Sequence, residues 1–469
     1  MTSTTRHWID EEITPLPAGR VRRFLGKPRS QWTIHDMVRV VQDNGVRTIA
    51  LMHVGSDGCL KTLDFAPRSQ EHLREILAAG ERADGSSLFA DTGIKAGASD
   101  IVLRPRIDSA FFDPFSPYPT LAFFCSHMGR DGSPLPQSPD TIVRRASERV
   151  KDLTGVELMA LGEVEYFLGK RAEDSDVYGS HDRGYHATAP FVFGERLRRE
   201  ALAILTEIGV CVKYGHSDVG YIEASETDGH IWEQHEIELA LRPLPDAAEG
   251  VVLTQWVLRH LAHLHGMPCS FEPILRAGHA GSGMHFHFSP FKDKQHLGGM
   301  DDSGNLSDEA RWLIGGLVTM GGALMAFGNR SEDSFLRLSQ GKEAPSSITW
   351  GRFNRHALVR LPIQAVSEDG SAVTPPTIEF RLADGSVQPY LLLAAAAQAM
   401  IHGKKVPELD AILAGSAAGE DDGEGASVPR DFAQVAQALE DFSAELREGE
   451  VFPASLIESL LAQLRSRAD

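Results

Sequence analysis

Four segments of this chain set charged or polar side chains at every second position inside apolar runs, a period-two pattern that belongs to β-strands. Leu161–Leu168 pairs Glu163 with Glu165. Trp232–Leu239 puts Gln234, Glu236 and Glu238 on one face. The stretch Gly278–Pro290 reads Gly-His-Ala-Gly-Ser-Gly-Met-His-Phe-His-Phe-Ser-Pro. There Gly281 and Gly283 form a turn that lets backbone approach a ligand, and His285 and His287 then share a face opposite Met284, Phe286 and Phe288. Thr377–Leu382 pairs Glu379 with Arg381. Any one of these reads equally as the solvated face of an antiparallel sheet, or as a half-buried strand with satisfied histidines. Buried charge is costly unless paired or bound to a cation, so four such strands together fit the lining of one concave site. Carboxylates with an imidazole or two suit Mg²⁺ or Mn²⁺. None of the four segments contains cysteine, which argues against a thiolate zinc site.

The rest of the chain fits an enzyme of more than one domain. Its 469 residues are enough for two or more substantial cores. Lys and Arg total 46 against 65 Asp and Glu, a net charge of −19 without a basic patch, which argues against a nucleic-acid partner. Cys59, Cys125, Cys211 and Cys269 are scattered, as expected of reduced thiols. The N-terminal sequence has no apolar signal core, and no apolar run reaches the ~18 residues of a membrane helix, so a soluble, cytoplasmic protein is expected.

A polar arm is expected over residues 1–30, a β-rich N-terminal domain with one helix near Ser69–Ala79 over 31–137, and a catalytic domain over 138–469. Ser138-Pro-Asp-Thr begins a helix over Pro139–Thr154, with Ser138 or Asp140 placed as its N-cap. Further helices are expected over Phe191–Glu207, Ala248–His265, Ser307–Phe327, Pro389–His402, Pro429–Glu448 and Pro453–Arg467. The Gly/Ala/Glu/Asp-rich stretch at about 414–428 reads as a flexible surface loop.

In this order the motifs resemble those of bacterial-type glutamine synthetases over most of the chain. Gly162-Glu-Val-Glu-Tyr-Phe looks like the first metal strand, and Gly281-Ser-Gly-Met-His285-Phe-His287 like the glutamate-loop signature. Ser334-Phe-Leu-Arg337-Leu with Gly341-Lys-Glu343-Ala-Pro looks like the substrate arginine and the active-site flap. Asn354-Arg355 through Arg360-Leu-Pro looks like the nucleotide-phosphate segment, and Ile378-Glu379-Phe-Arg381 with Gln388-Pro-Tyr-Leu like the last metal strand and its helix. Asp84-Gly-Ser-Ser and Ala98-Ser-Asp100 look like the segments given to a neighbouring subunit's site. The resemblance implies an α+β fold: a β-grasp-like N-terminal domain, then a large antiparallel-sheet funnel flanked by helices, of the glutamine synthetase/guanido kinase type.

It also implies a reaction, transfer of the ATP γ-phosphoryl to the glutamate side chain followed by displacement with ammonia. The cofactors would be ATP and two or three Mg²⁺ or Mn²⁺ ions per site. Glu165, Glu236 and Asp218 would hold one ion; Glu163, His285 and Glu379 would hold a second. Arg337 and Arg381 would bind glutamate and the transferring phosphoryl, with Gly281, His285 and Glu343 completing the glutamate site. Arg355, Arg360, His287 and Ser289 would meet ATP. Asp84, Ser87, Tyr185 and Glu343 would bind ammonium, and Glu343 would also shield the acyl phosphate from water. Because Asp84 would serve a neighbour, a homo-oligomer is implied, a dodecamer of two stacked hexameric rings.

The sequence departs from the family's pattern in places. Asp218 stands where Glu is commoner, so Glu223 or Glu226 competes for its role. His279-Ala280 replaces the usual Asn-containing pair, and Thr377 replaces an arginine. No segment resembles the adenylylated tyrosine of enteric members. Asp84 and Glu343 together favour ammonia as acceptor. A γ-glutamyl-amide ligase using an organic amine or polyamine is the alternative, and a catalytically silent oligomeric regulator the second. An unrelated phosphagen-type kinase is disfavoured by the Glu163, Glu165 and His285 set.

Overall fold

The computed structural model describes residues 18–90, 92, 94, 97, 99–173, 181–300, 304–342, 344–369, 372–419 and 425–468. The small N-terminal sheet contains β1 (Thr48–Val54), β2 (Leu60–Phe65), β3 (Glu81–Asp84), β4 (Asp100–Pro105), β5 (Phe111–Phe112) and β6 (Thr120–Met128). Their order is β2-β1-β6-β4-β3, with β5 also on β6; β1 and β6 run parallel. Two helices pack against it. Gln70–Ala79 matches expectation, whereas Ile34–Asp43 had not been anticipated. Thr33 and Asp36 close a capping box at its start, and Met37, Val38, Val40 and Val41 bury its apolar face. In the segment expected to be an arm, Arg20–Leu25 is helical and Val21 joins the same core.

The expected boundary at 137/138 falls between β6 and the Pro139–Thr154 helix. That helix has the expected limits, but Ser138 does not cap it by its side chain, because its Oγ pairs with buried His127 Nδ1 at 2.8 Å. The large sheet contains β7 (Glu157–Arg171), β8 (Val212–Ile222), β9 (His230–Leu239), β10 (Arg242–Pro243), β11 (Cys269–Ser270), β12 (Met284–Lys292), β13 (Gln295–His296), β14 (Ser347–Arg352), β15 (Ala357–Leu361), β16 (Ile378–Phe380) and β17 (Ala426–Ser427). Its order is β17-β14-β15-β16-β12-β7-β9-β8, with β10 and β11 on β7 and β13 on β12. All pairs are antiparallel except β14 with β15, so the expected antiparallel sheet carries one parallel pair.

Helices fill the face away from the charged side chains. Leu244–Leu264, Asp308–Gly328 and Pro389–Lys405 share one continuous core with the apolar face of the sheet, including Val164, Met284, Phe286, Phe288 and Phe380. Against expectation, Asp308–Gly328 is long and apolar enough to span a membrane, but 83% of its apolar window is buried in the protein. It crosses Pro389–Lys405 closely: a Cβ on Gly316 would lie 1.9 Å from the Ala399 carbonyl oxygen. The helix expected from Phe191 begins at Glu195 instead, because Glu233 on β9 receives the Phe193 and Gly194 amides. Within the expected 414–428 loop, Leu409–Gly415 is helical up to Gly415 and β17 pairs with β14; residues 420–424 lie outside the described residues.

Candidate functional site

Strand register gathers the charged side chains into rows. Glu163 lies opposite both His285 and Glu238, Glu165 opposite Glu236, and Glu236 opposite His216; Glu379 lies opposite both His287 and Arg360. Directly opposed residues share a face of the sheet, so these side chains converge in one cavity with Asp218, Arg381, Arg355 and Tyr185. An adjoining cavity shares Glu165, Asp218 and His285 and adds Gly281, Arg337 and Gln234.

Hydrogen bonds lock the rows. His285 Nδ1 is 2.9 Å from Glu163 Oε2, and His287 Nε2 is 2.8 Å from Glu163 Oε1. Glu165 Oε2 accepts from the Gly283 amide at 2.7 Å and from Gln234 Nε2 at 2.9 Å. Arg337 Nη1 donates to the Leu382 and Ala383 carbonyls at 3.2 and 3.3 Å, and Arg337 Nη2 lies 3.3 Å from His285 Nε2. Glu379 is held by Arg381 and, at 2.9 Å, by Arg360 Nη1. Gly283 permits this crowding: a Cβ there would sit 2.7 Å from His285 Nε2, 2.8 Å from Arg337 Nη2 and 2.9 Å from Glu165 Oε1.

The electrostatics call for added positive charge. Burial, then Asp218, raise the Glu165 carboxyl to about 8. Burial, then Glu163 and Asp218, push Glu236 well above the carboxylate range. Burial alone would raise Glu379 too, but Arg381 beside it brings it down to about 2. Burial, with Arg381 nearby, lowers His285 to about 4, leaving a neutral imidazole able to act as a ligand. Within this cavity, among the described residues, three sets have ligand atoms within 4.8 Å of one another: Glu165 with Asp218 and Glu236; Glu163 with His285 and Glu379; Glu163 with Glu236 and Glu238. Glu238 Oε2 is buried with no hydrogen-bond partner among the described residues. Carboxylate-rich sets of this kind fit hard divalent cations, which would favour the ionised acids.

The other expected residues fall elsewhere. Glu223 and Glu226 are exposed and belong to none of the three sets, whereas Asp218 belongs to one. Ser289 is fully buried and lines neither cavity, donating to the Pro376 carbonyl at 2.8 Å. Thr377 Oγ1 is 2.9 Å from His287 Nδ1. Asp84 and Ser87 sit on the N-terminal sheet domain and line neither cavity of their own chain; Ser87 Oγ donates to Asp84 Oδ2 at 2.5 Å. Glu343 lies outside the described residues. Lys213, His216 and Glu238 also line the cavity, and the sequence alone assigns them no role. Lys213 binds Glu238 at 2.6 Å, and His216 Nε2 approaches Glu236 Oε1 at 3.6 Å. The period-two run Tyr214, His216, Asp218 on β8 was the signal for His216, and the same alternation on β9 for Glu238.

The family described as "Glutamine synthetase, catalytic domain" matches residues 136–465. A glutamine synthetase from Frankia alni is 30% identical, covering 92% of this chain and 94% of its own. A 3-hydroxylaminophenol mutase from Cupriavidus pinatubonensis is 27% identical over the same shares. The cryo-electron-microscopy structure of Plasmodium falciparum glutamine synthetase superposes with a TM-score of 0.76 at 19% identity, covering 92% of this chain and 95% of that one. The chain therefore belongs to the glutamine synthetase family and carries that family's catalytic domain, an ATP-dependent glutamate–amine ligase.

Proposed function

We propose that this enzyme joins ammonia to the γ-carboxylate of glutamate through γ-glutamyl phosphate, with ATP as phosphoryl donor. The observation that carries the reading is the convergence of three carboxylate-rich sets with two buried arginines, Arg337 and Arg381, on connected cavities. Phosphoryl transfer to a carboxylate needs anions gathered and neutralised more than it needs covalent help from the protein. Glu165, Asp218 and Glu236 would hold one Mg²⁺ or Mn²⁺, Glu163, His285 and Glu379 a second, and Glu238 marks room for a third. Bound there, the cations would neutralise phosphoryl oxygens. Arg337 binds the glutamate carboxylate, Arg381 the transferring phosphoryl, and Arg355 and Arg360 the ATP phosphates. The forked guanidinium suits each of these anions.

Asp84 and Ser87, exposed and not lining their own chain's cavities, would serve a neighbour's ammonium pocket with Tyr185 and Glu343. That requires a ring, and the proposal is a dodecamer of two stacked hexamers in the cytoplasm, in keeping with four free cysteines. Mixed rings of Asp84→Ala and Arg337→Ala chains should regain activity that neither parent has; rings that stay inactive would sink the shared site.

An organic amine as acceptor is the second reading, favoured by the rings at the cavity wall. Tyr185 stacks on His186 at 4.3 Å between centroids, His186 lies 4.6 Å from His216, and His216 lies 5.9 Å from Tyr214. Such faces suit a cationic amine with an apolar body. Purified enzyme given ATP, Mg²⁺ and glutamate, with ammonium or single amines, separates the readings by mass spectrometry. Glutamine formed in step with phosphate release supports the first. A γ-glutamyl amide formed with one amine and no glutamine with ammonium supports the second.

A further inference from the structure

At the outer edge of the Arg337 cavity, three residues from two separate loops meet outside the three carboxylate-rich sets. His181 and Asp182 lie ahead of β8, and His279 lies in the turn before β12. Their ligand atoms fall within 4.8 Å of one another. The imidazole rings of His181 and His279 are 4.1 Å apart between centroids, tilted by 52°.

The distances do not suit hydrogen bonding. His279 Nδ1 is 3.6 Å from Asp182 Oδ1, and His181 Nε2 is 3.6 Å from Asp182 Oδ2, both too long for good hydrogen bonds. Both His279 Nδ1 and Asp182 Oδ1 are buried with no hydrogen-bond partner among the described residues, and His279 as a whole is only 8% exposed. Two buried polar atoms facing each other unpaired cost free energy that an occupant would recover. Around a zinc ion with ligands at about 2.0–2.2 Å, neighbouring tetrahedral ligand atoms lie about 3.3–3.5 Å apart. The gap from His279 Nδ1 to Asp182 Oδ1 is close to that edge length, and a ligand atom of His181 lies within 4.8 Å of both side chains.

We propose that His181, Asp182 and His279 form a separate site for a late first-row divalent cation such as Zn²⁺, with a fourth position open to solvent. Two imidazoles and a carboxylate are a donor set such ions take. The protonation states agree. Burial, with His181 alongside, holds His279 below the ordinary imidazole value, so it offers a lone pair at neutral pH. Burial alone would raise Asp182, but hydrogen bonds from Lys342 and the Ala280 amide outweigh it and keep the acid ionised.

The surroundings complete the set. Glu223 Oε2 stands 4.0 Å from His181 Nδ1, on the side where a ligating histidine often meets an outer carboxylate. Lys342 Nζ binds Asp182 Oδ2 at 2.8 Å and the Gly278 carbonyl at 2.5 Å. Its positive charge opposes an ion but leaves Oδ1 available, and Arg276 is turned to the Glu223 carbonyl. His181 is about half exposed and offers a way in. A bound ion would pin the 181–182 loop to the turn at 279 and, through Lys342, to the segment leading to Glu343.

The test is Zn²⁺ binding to full-length enzyme by equilibrium dialysis with excess Mg²⁺, for wild type, His181→Ala and His279→Asn. Any Zn²⁺ held by the carboxylate-rich cavity is common to all three proteins and cancels. The expected result is one Zn²⁺ per chain lost, or bound at least ten-fold more weakly, in both variants. Exposed His181 can be removed without disturbing packing, so that variant guards against misfolding at His279. The same stoichiometry and affinity in wild type and His181→Ala would overturn the proposal. A Zn²⁺-induced rise in melting temperature, present in wild type and absent from both variants, would support it independently of catalysis.

Discussion

Gly283→Ala separates the geometry of the site from the stability of the fold. The new methyl carbon would sit 2.7, 2.8 and 2.9 Å from the tips of His285, Arg337 and Glu165, where ordinary contacts begin near 3.4 Å. Each tip must therefore retreat by about 0.5–0.7 Å, and all three end flexible side chains. The Gly283 amide that binds Glu165 survives the change. Overpacking of this kind costs typically about 1–3 kcal/mol. In a chain of this size that is a drop of about 1–3 °C in melting temperature, taking about 2.1 cal/mol/K of unfolding entropy per residue. Catalysis should suffer far more, because displacing substrate-positioning groups by a sizeable fraction of an ångström costs on the order of 10²-fold, about 2.7 kcal/mol in the transition state. Phosphate release at saturating ATP with varied glutamate, beside a thermal melt, measures both. The expected outcome is kcat/KM for glutamate down about 100-fold with a nearly unchanged melt. A variant within three-fold of wild type would refute the argument that Gly283 is needed for crowding at this point.

Other outcomes follow from the same geometry. In metal-free protein the Glu165 carboxyl sits at about 8, whereas an unfolded glutamate titrates near 4.3; the native state thus holds the extra proton, and this stabilisation is complete below about pH 4.3 and lost as pH rises towards 8. Because a divalent cation favours the ionised acid, the Mg²⁺-induced rise in melting temperature should be larger at pH 8 than at pH 6, and equal rises by scanning fluorimetry would contradict the assignment. Asp218→Ala should weaken divalent-ion binding at least ten-fold by calorimetry while Glu223→Ala stays within two-fold; the reverse order would return the role to Glu223. Thr377→Val leaves His287 Nδ1 buried without its partner, so stability should fall by about 1–3 kcal/mol in denaturant melts, and no loss would show that water replaces the hydroxyl.

Local periodicity made much of the site legible. Alternation put Glu163 with Glu165, Glu236 with Glu238 and His285 with His287, and each pair faces the cavity, because side-chain direction in a strand depends only on parity. Pro139–Thr154 was legible to the residue, with Pro at its first position and Gly155 in the left-handed conformation after it. Long-range contacts were not legible. The capping role given to Ser138 was lost to His127, eleven residues back, and the start of the Glu195–Ile208 helix is set by Glu233 on a distant strand. The parallel pairing of β14 with β15 leaves no local trace. Asp182, Lys342 and His279 are far apart in sequence and meet only through the chain's return, which is why alternation could not reveal them.

The anchoring of Arg337 on the Leu382 and Ala383 carbonyls has a consequence for how such a site can diverge. Those carbonyls continue the same backbone that carries Glu379 and Arg381, so one rigid stretch sets the positions of a substrate-binding guanidinium and a metal-facing carboxylate. Inserting or deleting a single residue within β7, β9, β12 or β16 would turn half of the rows to the wrong side at once. Residues added between strands, for example in the 223–229 connection between β8 and β9, would leave parity untouched. The rims and connections are thereby the places where acceptor choice and loop-borne additions could change while the charged rows keep their frame.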